Sequence, residues 1–338
     1  MKKKKAGHCL CFWCVVAINC LLLSKRSKKL SNRKAIFLFG PTASGKTSLA
    51  IFLAQKLNGV IINADSRQVY KDMPIITAMP TADEFAAADH RLFDFLNLNE
   101  KITVEKYVNL VKAEMLDIWS QGQLPILCGG TGFYMKVLEE GIAPLPALND
   151  HILNTLNKQS LEMGTPYLHQ QLATVDPAMA TKLKENDTQR VVRALGVYQQ
   201  TKKTMSEWQK MPKQGGLDAQ ILKLALNPDR EWLYNRIHKR YDVMVEMGLM
   251  DEIKSLINND VDACAHALQS CGAKDLLAYQ KGEITEAQAK ESILQSTRNY
   301  AKRQFTWLKG QYNADLIFES VADAQSQLGQ ICNFVNKS

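Results

Sequence analysis

The sequence has little net charge outside its first 34 residues. The whole chain holds 42 Lys and Arg against 34 Asp and Glu. Residues 1–34 contain ten of the basic residues and no acidic one, which leaves 32 basic against 34 acidic residues in the rest. This balance excludes a uniformly basic surface, so any nucleic-acid site must come from local clusters of basic residues. The chain also lacks internal repeats and low-complexity tracts, which excludes a repeat architecture.

Residues 1–34 begin with a charged stretch and an apolar run, which suggest a signal peptide or a short membrane anchor, but other features of such segments are missing. Their apolar run, Cys9 to Leu23, follows four lysines but has only 15 residues and contains Asn19. That is short for a membrane span, and no small-x-small cleavage site follows the run. We interpret residues 1–34 as a non-native extension, such as translation from an upstream start codon. A membrane tether is the alternative.

The eight cysteines indicate neither a disulfide framework nor a zinc site. Four of them lie in residues 1–34, where Cys11-x-x-Cys14 has no second pair of ligands nearby. The other four are scattered through the chain: Cys128, Cys264, Cys271 and Cys332. We therefore expect reduced thiols in a cytoplasmic protein.

The sequence does contain an unsubstituted phosphate-binding loop. Residues 40–47 read GPTASGKT and match the pattern G-x-x-x-x-G-K-[ST]. The apolar run 35–39 predicts a buried strand and residues 46–57 predict a helix, which is the context that the loop requires. Backbone N–H groups, the helix N-terminus and the Lys46 ammonium would hold a phosphate group, and the Thr47 hydroxyl would hold Mg²⁺. The sequence therefore predicts an α/β fold with a P-loop NTPase-like parallel sheet.

Two further strand ends carry candidate functional residues. Residues 59–63 predict a second strand, which Asp65 follows, and residues 124–128 predict a third, which Gly-Gly-Thr131-Gly follows. The carboxyl ends of parallel strands face the ligand crevice, so both should lie near the phosphate loop. A carboxylate repels bound phosphates unless it serves as a metal ligand or proton acceptor, which makes Asp65 a functional candidate. A turn-forming Asp is the alternative for Asp65, and Thr131 is a candidate ligand contact.

The strand pattern stops between residues 145 and 216. Five segments predict helices there: 150–163, 166–174, 177–183, 188–201 and 204–210. Residues 181–213 hold eight basic residues against three acidic ones. Arg190 and Arg193 lie three apart on one helix face, which is either a solvated face or a site for phosphates. We predict a helical insertion at 145–216 within a core formed by 35–144 and 217–325.

The remaining segments predict a return to the core. Residues 71–100 read as irregular, and Thr103 is a good N-cap for a helix that ends near Trp119. After the insertion, the apolar patterns predict strands at 221–226 and 314–318 and helices at 230–247, 249–257 and 285–309.

Six motifs in this order together resemble one family. They are GPTASGKT (40–47), ADSRQVY (64–70), CGGTGFY (128–134), NDTQRVVRALGVYQQTKKTMSEW (186–208), NPDREWLYNRIHKRYDVMVEMGLMDEI (227–253) and RNYAKRQFTW (298–307). Over residues 35–320 the chain is similar to the bacterial tRNA dimethylallyltransferases, also called tRNA isopentenyltransferases. It lacks the C-terminal zinc finger that eukaryotic relatives tend to carry. It also has Ala273 where the family often has an aromatic residue, which puts a stacking role there in doubt.

The resemblance implies a P-loop core with a helical tRNA-binding insertion, and a specific reaction. A dimethylallyl group would move from dimethylallyl diphosphate to N6 of the adenosine 3′ of the anticodon, in tRNAs that read codons beginning with U, and diphosphate would leave. The partners would be the tRNA anticodon stem-loop and the diphosphate, with Mg²⁺ as cofactor and no obligate protein partner, so we expect a monomer.

The resemblance also implies roles for individual residues. Asp65 would be the general base, and Lys46 and Thr131 would complete the catalytic set. The residues implied to hold the diphosphate are Gly40, Pro41, Thr42, Ala43, Ser44, Gly45, Lys46 and Thr47, with Thr47 as metal ligand. The residues implied to contact tRNA are Asp65, Ser66, Arg67, Gln68, Thr131, Gln189, Arg190, Val191, Val192, Arg193, Lys274, Lys302, Arg303 and Gln304.

Other functions remain open to a phosphate-loop protein. One is a small-molecule kinase or an isopentenyltransferase that acts on free adenine nucleotide, although neither needs a basic helical insertion of about 70 residues. Another is a non-catalytic nucleotide switch, against which Asp65 and the lack of an evident switch element argue. The acceptor that becomes labelled by dimethylallyl diphosphate distinguishes these functions.

Overall fold

The computed structural model describes residues 33–258, 261–262, 265–270 and 272–336. The apolar run of residues 9–23 and the cysteines near it lie outside the described residues, as do Cys264 and Cys271. The other two cysteines, Cys128 and Cys332, are free thiols.

The described chain forms two compact units. One comprises the described residues up to Lys136 and those from Asp218 onward, and the other is Val137–Leu217. The second unit includes the interval 145–216, in which the sequence predicts a helical insertion.

The described part of the first unit contains six strands, all in one parallel sheet. They are β1 (Lys34–Phe39), β2 (Gly59–Asn63), β3 (His90–Arg91), β4 (Leu124–Gly129), β5 (Gln220–Leu226) and β6 (Leu316–Phe318). Their order across the sheet is β3-β2-β4-β1-β5-β6. The residues of β1 from Ala35 to Phe39 are apolar and fully buried, as is typical of a parallel strand covered on both faces. The predicted α/β fold with a parallel sheet is confirmed.

Fifteen α-helices follow and connect the described strands. They are α1 (Lys46–Leu57), α2 (Ala82–Ala87), α3 (Val104–Ser120), α4 (Gly132–Glu140), α5 (Asp150–Met163), α6 (Thr165–Val175), α7 (Pro177–Lys182), α8 (Thr188–Thr201), α9 (Met205–Gln209), α10 (Arg230–Glu246), α11 (Leu249–Asn258), α12 (Ala273–Gln280), α13 (Glu286–Gly310), α14 (Val321–Ser326) and α15 (Leu328–Asn336). None of these helices is both long enough and apolar enough to cross a membrane.

Among the described residues, two apolar clusters of the first unit pack against the sheet and the segments around it. In one, Leu49 and Leu53 of α1 pack with Ile36 and Leu38 of β1, together with residues of the C-terminal helices α14 and α15. In the other, α10, α11, α12 and α13 pack with the segment around Tyr70. Because every cluster member is removed from water, both clusters stabilise the sheet and the helices around it.

The strand register brings three loops to the same edge of the sheet. Phe39, the last residue of β1, pairs with Gly129, the last residue of β4. Asn63, the last residue of β2, pairs with Cys128. The phosphate loop, the Asp65 segment and the Gly130 segment therefore begin side by side, as expected for the carboxyl ends of parallel strands.

The interval 71–100, predicted to be irregular, contains regular structure, and that prediction was wrong. Helix α2 begins at a capping box in which Thr81 and Glu84 bond to each other's backbone N–H groups. Strand β3 then pairs with Ile61 and Ile62 of β2 at the edge of the sheet. The capping box was visible in the sequence as Thr-x-x-Glu, but a two-residue strand leaves no pattern to recognise.

The second unit is a small helical bundle with its own apolar core. Helices α5 to α9 bury Leu156, Leu168, Leu172, Val191 and Leu195 against one another. The predicted helices 150–163 and 188–201 have the bounds of α5 and α8. Asn149 and Asp187 cap these two helices, each accepting a backbone N–H bond in the first turn.

Candidate active site at the phosphate loop

The phosphate loop is a tight turn that leads into α1. Ala43 and Gly45 have positive φ angles of 63° and 94°. A Cβ at Gly45 would lie 2.8 Å from Cγ2 of Val321, so the glycine is needed for both its conformation and its space. The Lys46 ammonium donates to the carbonyl of Pro41 at 2.7 Å, which places it over the loop.

The ends of β2 and β4 are joined by hydrogen bonds. The Thr131 N–H donates to the Ala64 carbonyl at 3.0 Å, and the Ser66 N–H donates to Oγ1 of Thr131 at 3.1 Å. A Cβ at Gly129 would lie 2.2 Å from the Ala64 backbone, which explains the glycine at this strand end. Thr131 is thus bonded to the backbone of the Asp65 segment.

Asp65 is held in a fixed orientation. Its N–H donates to Oδ1 of Asn63 at 2.8 Å, and its own Oδ1 accepts the Arg67 N–H at 2.8 Å. Asn63 is itself buried, and the Tyr107 hydroxyl donates to its carbonyl. The Asp65 side chain is half-buried and lines the same cleft as Lys46. The arrangement points a carboxylate into the space beside the phosphate loop.

Gln304 of α13 bridges the phosphate loop and the end of β4. Its Oε1 accepts the Thr42 N–H at 2.8 Å, and its Nε2 donates to the Gly130 carbonyl at 3.1 Å. The residue is only 4% exposed. Both ends of the Gln304 amide are thus engaged inside the protein, and its contact with tRNA stays a prediction.

The cleft at the loop has a volume of about 660 Å³ and contains several basic side chains. Lys46, Arg236, Lys239 and Arg240 line it, together with Thr47 and Asp65. Burial lowers the pKa of Lys46 to about 8 and that of Arg240 to about 10, and in both cases the nearby Asp65 opposes the shift. Cations withdrawn from water need a compensating anion, so the cleft is suited to an anionic ligand.

Arg240 was not among the predicted site residues. Its Nη1 donates to Oγ1 of Thr42 at 3.2 Å, so it contacts the phosphate loop from α10. Arg236 and Arg240 lie one turn apart, and this spacing was the only signal in the sequence. His90 also lines the cleft and was missed, because strand β3 was not predicted.

A smaller cavity of about 80 Å³ adjoins the cleft. Ile237, Tyr241 and Leu276 are among its apolar lining residues. Asp65 and Arg240 line both spaces. The Asp65 carboxylate therefore stands at the junction between a basic cleft and a mainly apolar cavity.

Among the other residues predicted to contact tRNA, some side chains bond to the protein itself and others are exposed to solvent. Arg67 donates to the His266 carbonyl at 2.7 Å, and Gln68 donates to the carbonyls of Thr77 and Ala78 at 3.2 and 2.7 Å. Ser66 is half-buried, and three basic residues are exposed on α12 and α13: Lys274, Lys302 and Arg303.

The predicted tRNA contacts at 189–193 lie on α8 of the second unit. Gln189 is exposed, and the Arg190 side chain is 72% exposed with an ion pair to Asp187 at 3.5 Å. Arg193 is half-buried and donates to the Pro146 carbonyl at 3.0 Å. Val191 and Val192 are 0% and 2% exposed in the bundle core, and their contact with tRNA stays a prediction.

A dedicated metal cage is absent from the described residues. No group of three or more His, Cys, Asp and Glu side chains among them could hold a metal ion. The Thr47 hydroxyl and the Asp65 carboxylate line the same cleft. The single Thr47 hydroxyl fits Mg²⁺, which is usually bound through one or two protein groups, with substrate phosphates and water supplying the other ligands.

Comparison with known proteins identifies the relatives of this chain. The sequence model of the IPP transferase family matches residues 68–311. A tRNA dimethylallyltransferase of Parvibaculum lavamentivorans is 36% identical over 303 residues, which cover 90% of this chain and 96% of the relative. A tRNA dimethylallyltransferase of Halothermothrix orenii is 39% identical over 279 residues, with 82% and 85% covered.

Solved structures show the same relationship. The tRNA isopentenylpyrophosphate transferase of Bacillus halodurans superposes with a TM-score of 0.65 at 31% identity, covering 90% of this chain and 95% of that one. A eukaryotic dimethylallyltransferase described as acting on tRNA superposes with a TM-score of 0.75 at 30% identity, covering 89% and 79%.

Proposed function

The chain belongs to the IPP transferase family, and we propose that it transfers a dimethylallyl group from dimethylallyl diphosphate to tRNA. The acceptor is N6 of the adenosine 3′ of the anticodon, in tRNAs that read codons beginning with U, and the enzyme acts as a monomer in the cytoplasm. The observation that carries the proposal is the junction at Asp65. There a carboxylate stands between a cleft lined by the half-buried cations Lys46 and Arg240 and an adjoining, mainly apolar cavity.

The phosphate-loop cleft binds the diphosphate. Backbone N–H groups of the phosphate loop and the N-terminus of α1 attract the anion. Lys46 and Arg240 add two full positive charges that burial has made costly to leave unpaired. A bound diphosphate would raise the pKa of Lys46 again and keep the ammonium protonated.

The transfer itself requires charge stabilisation and one proton transfer. The allylic C–O bond breaks, and the electron pair leaves with diphosphate, where Lys46 and Arg240 stabilise the developing charge. The N6 amine forms the new C–N bond and becomes cationic. The Asp65 carboxylate, whose Oδ1 is held by the Arg67 N–H, accepts the proton that N6 must lose.

Mg²⁺ fits this site through Thr47. The Thr47 hydroxyl would hold the ion, which when bound supplies further positive charge beside the diphosphate.

tRNA is bound by exposed basic side chains outside the cleft. Arg190 on α8 and the exposed side chains of Lys274, Lys302 and Arg303 are available for phosphate contacts, which position a nucleic acid without reading its sequence. The acceptor base must leave its stack to reach a carboxylate inside the protein. An unpaired anticodon loop provides such bases at low cost.

One assay tests the proposal. Purified protein is given radiolabelled dimethylallyl diphosphate with anticodon stem-loop RNAs that carry or lack the adenosine 3′ of the anticodon, and separately with AMP or ATP. We expect label only on the RNA that carries this adenosine, and no useful ATP hydrolysis. Label on AMP or ATP, or equal label on both RNAs, would contradict the proposed acceptor.

A further inference from the structure

A short turn in the wall of the cleft is closed by its own backbone. The Ala78 N–H donates to the Ile75 carbonyl at 2.9 Å, and the Met79 N–H donates to the Pro74 carbonyl at 2.9 Å. The Thr77 N–H donates to the Met73 carbonyl at 3.3 Å. Residues 73–79, which we call the wall turn, thus resemble one turn of helix. The backbone N–H groups at one end of such a turn and the carbonyls at the other need hydrogen-bond partners from elsewhere.

The N-terminal end of the wall turn is capped by Glu252, which is about 175 residues away in the chain. Oε2 of Glu252 accepts the Ile75 N–H at 2.7 Å, and Oε1 accepts the Ile76 N–H at 2.9 Å. Glu252 is half-buried on α11, whose core residues Leu249, Ile253 and Leu256 anchor the helix. Both oxygens of one carboxylate therefore satisfy the two N–H groups that begin the turn.

The other end of the wall turn is capped by Gln68. Its Nε2 donates to the carbonyls of Thr77 and Ala78 at 3.2 and 2.7 Å. Gln68 lies three residues after Asp65, so the turn is tied to the segment that carries the carboxylate. The wall turn is held between α11 on one side and the end of β2 on the other.

The wall turn lies at the junction where the reaction is proposed to occur. Thr77 and Ala78 line both the basic cleft and the smaller cavity, as Asp65 and Arg240 do. The residues at the junction therefore include two from a turn whose position is fixed by a remote carboxylate. A shift of this turn would open the junction to water.

We propose that Glu252 is a positioning residue. It holds the wall turn in place, so that the N6 amine and not water attacks the allylic carbon. This rests on the proposed function. When the allylic C–O bond breaks, water can attack the same carbon as N6 does. That side reaction forms a new C–O bond, the attacking water loses a proton, and the products are dimethylallyl alcohol and diphosphate.

The test compares three variants of the full-length protein. Glu252→Ala removes both hydrogen bonds of the N-terminal cap, and Glu252→Gln keeps one acceptor oxygen in a side chain of the same shape. Asp251→Ala is the matched control, because Asp251 is the exposed neighbour of Glu252 on α11. The readouts are kcat for transfer, the Kd for anticodon stem-loop RNA, and the ratio of dimethylallyl alcohol released to groups transferred. Circular dichroism confirms folding.

Glu252→Ala should lower kcat about 10- to 100-fold, the size of effect expected when a reacting geometry is displaced by about 1 Å. The ratio of alcohol to transfer should rise, the Kd for RNA should not change, and Glu252→Gln should lie between Glu252→Ala and wild type. Asp251→Ala should match wild type in all three readouts.

A folded Glu252→Ala variant with wild-type kcat and ratio would overturn the inference. So would a variant in which kcat falls while the ratio stays constant, because that result indicates a purely structural role. If Glu252→Ala does not fold, a Glu252→Gln variant with a wild-type kcat and ratio overturns the inference, and a raised ratio supports it. A wild-type protein that labels no RNA overturns the proposed function, and this inference with it.

Discussion

The guanidinium of Arg240 donates a hydrogen bond to the hydroxyl of Thr42 at 3.2 Å. This contact joins α10 to the phosphate loop across 198 residues of sequence and brings a second, half-buried cation to the loop. The loop motif supplies one positive charge through Lys46. The fold supplies the other through a helix that the motif does not include.

Arg240→Ala should therefore weaken the binding of dimethylallyl diphosphate. Hydrogen bonds to charged groups contribute about 1.5–3 kcal/mol, which corresponds to an increase in Kd of about 10- to 150-fold. Isothermal titration calorimetry measures this Kd directly. Lys254→Ala, an exposed change on α11, is the control and should leave the Kd unchanged. Equal affinities for Arg240→Ala and wild type would show that Arg240 serves only to hold Thr42.

Diphosphate affinity should depend on pH through Lys46. Burial lowers the pKa of Lys46 to about 8 in the free protein, and a bound anion raises it. Binding is thus strongest when the free protein already carries the ammonium, below pH 8. Above pH 8 the Kd should rise by up to about tenfold per pH unit, until the pKa of the complex is reached.

Lys46→Ala provides the check on that pH dependence. The variant should bind dimethylallyl diphosphate very weakly, and whatever binding remains should not change between pH 8 and 9. A pH dependence that persists in Lys46→Ala would have to come from another group in the cleft.

The two arginines of α8 should behave differently from each other. Arg190 is exposed, so Arg190→Ala should raise the KM for tRNA and reduce the slope of log K against log salt by about one. Arg193 donates to the Pro146 carbonyl, so Arg193→Ala should also lower the melting temperature. Salt titrations of RNA binding and thermal unfolding of each variant separate the two effects. If Arg190→Ala binds RNA as the wild type does, Arg190 on α8 does not contribute to tRNA binding.

Gln304→Ala should impair the phosphate loop and leave RNA binding unchanged. The change leaves the Thr42 N–H and the Gly130 carbonyl without their partner, and a buried unsatisfied group costs about 1–3 kcal/mol. We expect a lower melting temperature and a higher Kd for dimethylallyl diphosphate. An increased Kd for RNA with an unchanged melting temperature would contradict this and indicate that Gln304 contacts tRNA.

The sequence predicted the elements that have a repeating pattern or a motif. The strand and helix around GPTASGKT, the third strand at residue 124 and the helices α5 and α8 have local signals, and the structure contains them. Strand β3 has two residues and depends entirely on its pairing with β2. Its edge position is a tertiary property that no local pattern encodes.

The site was predictable only where the motif and the site coincide. The proximity of Asp65 to Lys46 follows from the parallel sheet, and the two residues line the same cleft. Gln304 and Arg240 act through contacts that span 262 and 198 residues, and a motif on a helix does not show which face will be buried. The same limit explains Val191 and Val192, which lie within a basic motif and yet form the core of the bundle.

Single-turnover transfer by Asp65→Asn, with both substrates saturating, is the most direct test of Asp65 as the proton acceptor. Asn keeps the shape of the side chain, so binding of tRNA and dimethylallyl diphosphate should change little. Without its base the step should slow by about 10²- to 10⁴-fold, and raising Mg²⁺ or substituting Mn²⁺ should not restore it. Restoration by the metal would make Asp65 a metal ligand, and a wild-type transfer rate would contradict the proposed mechanism.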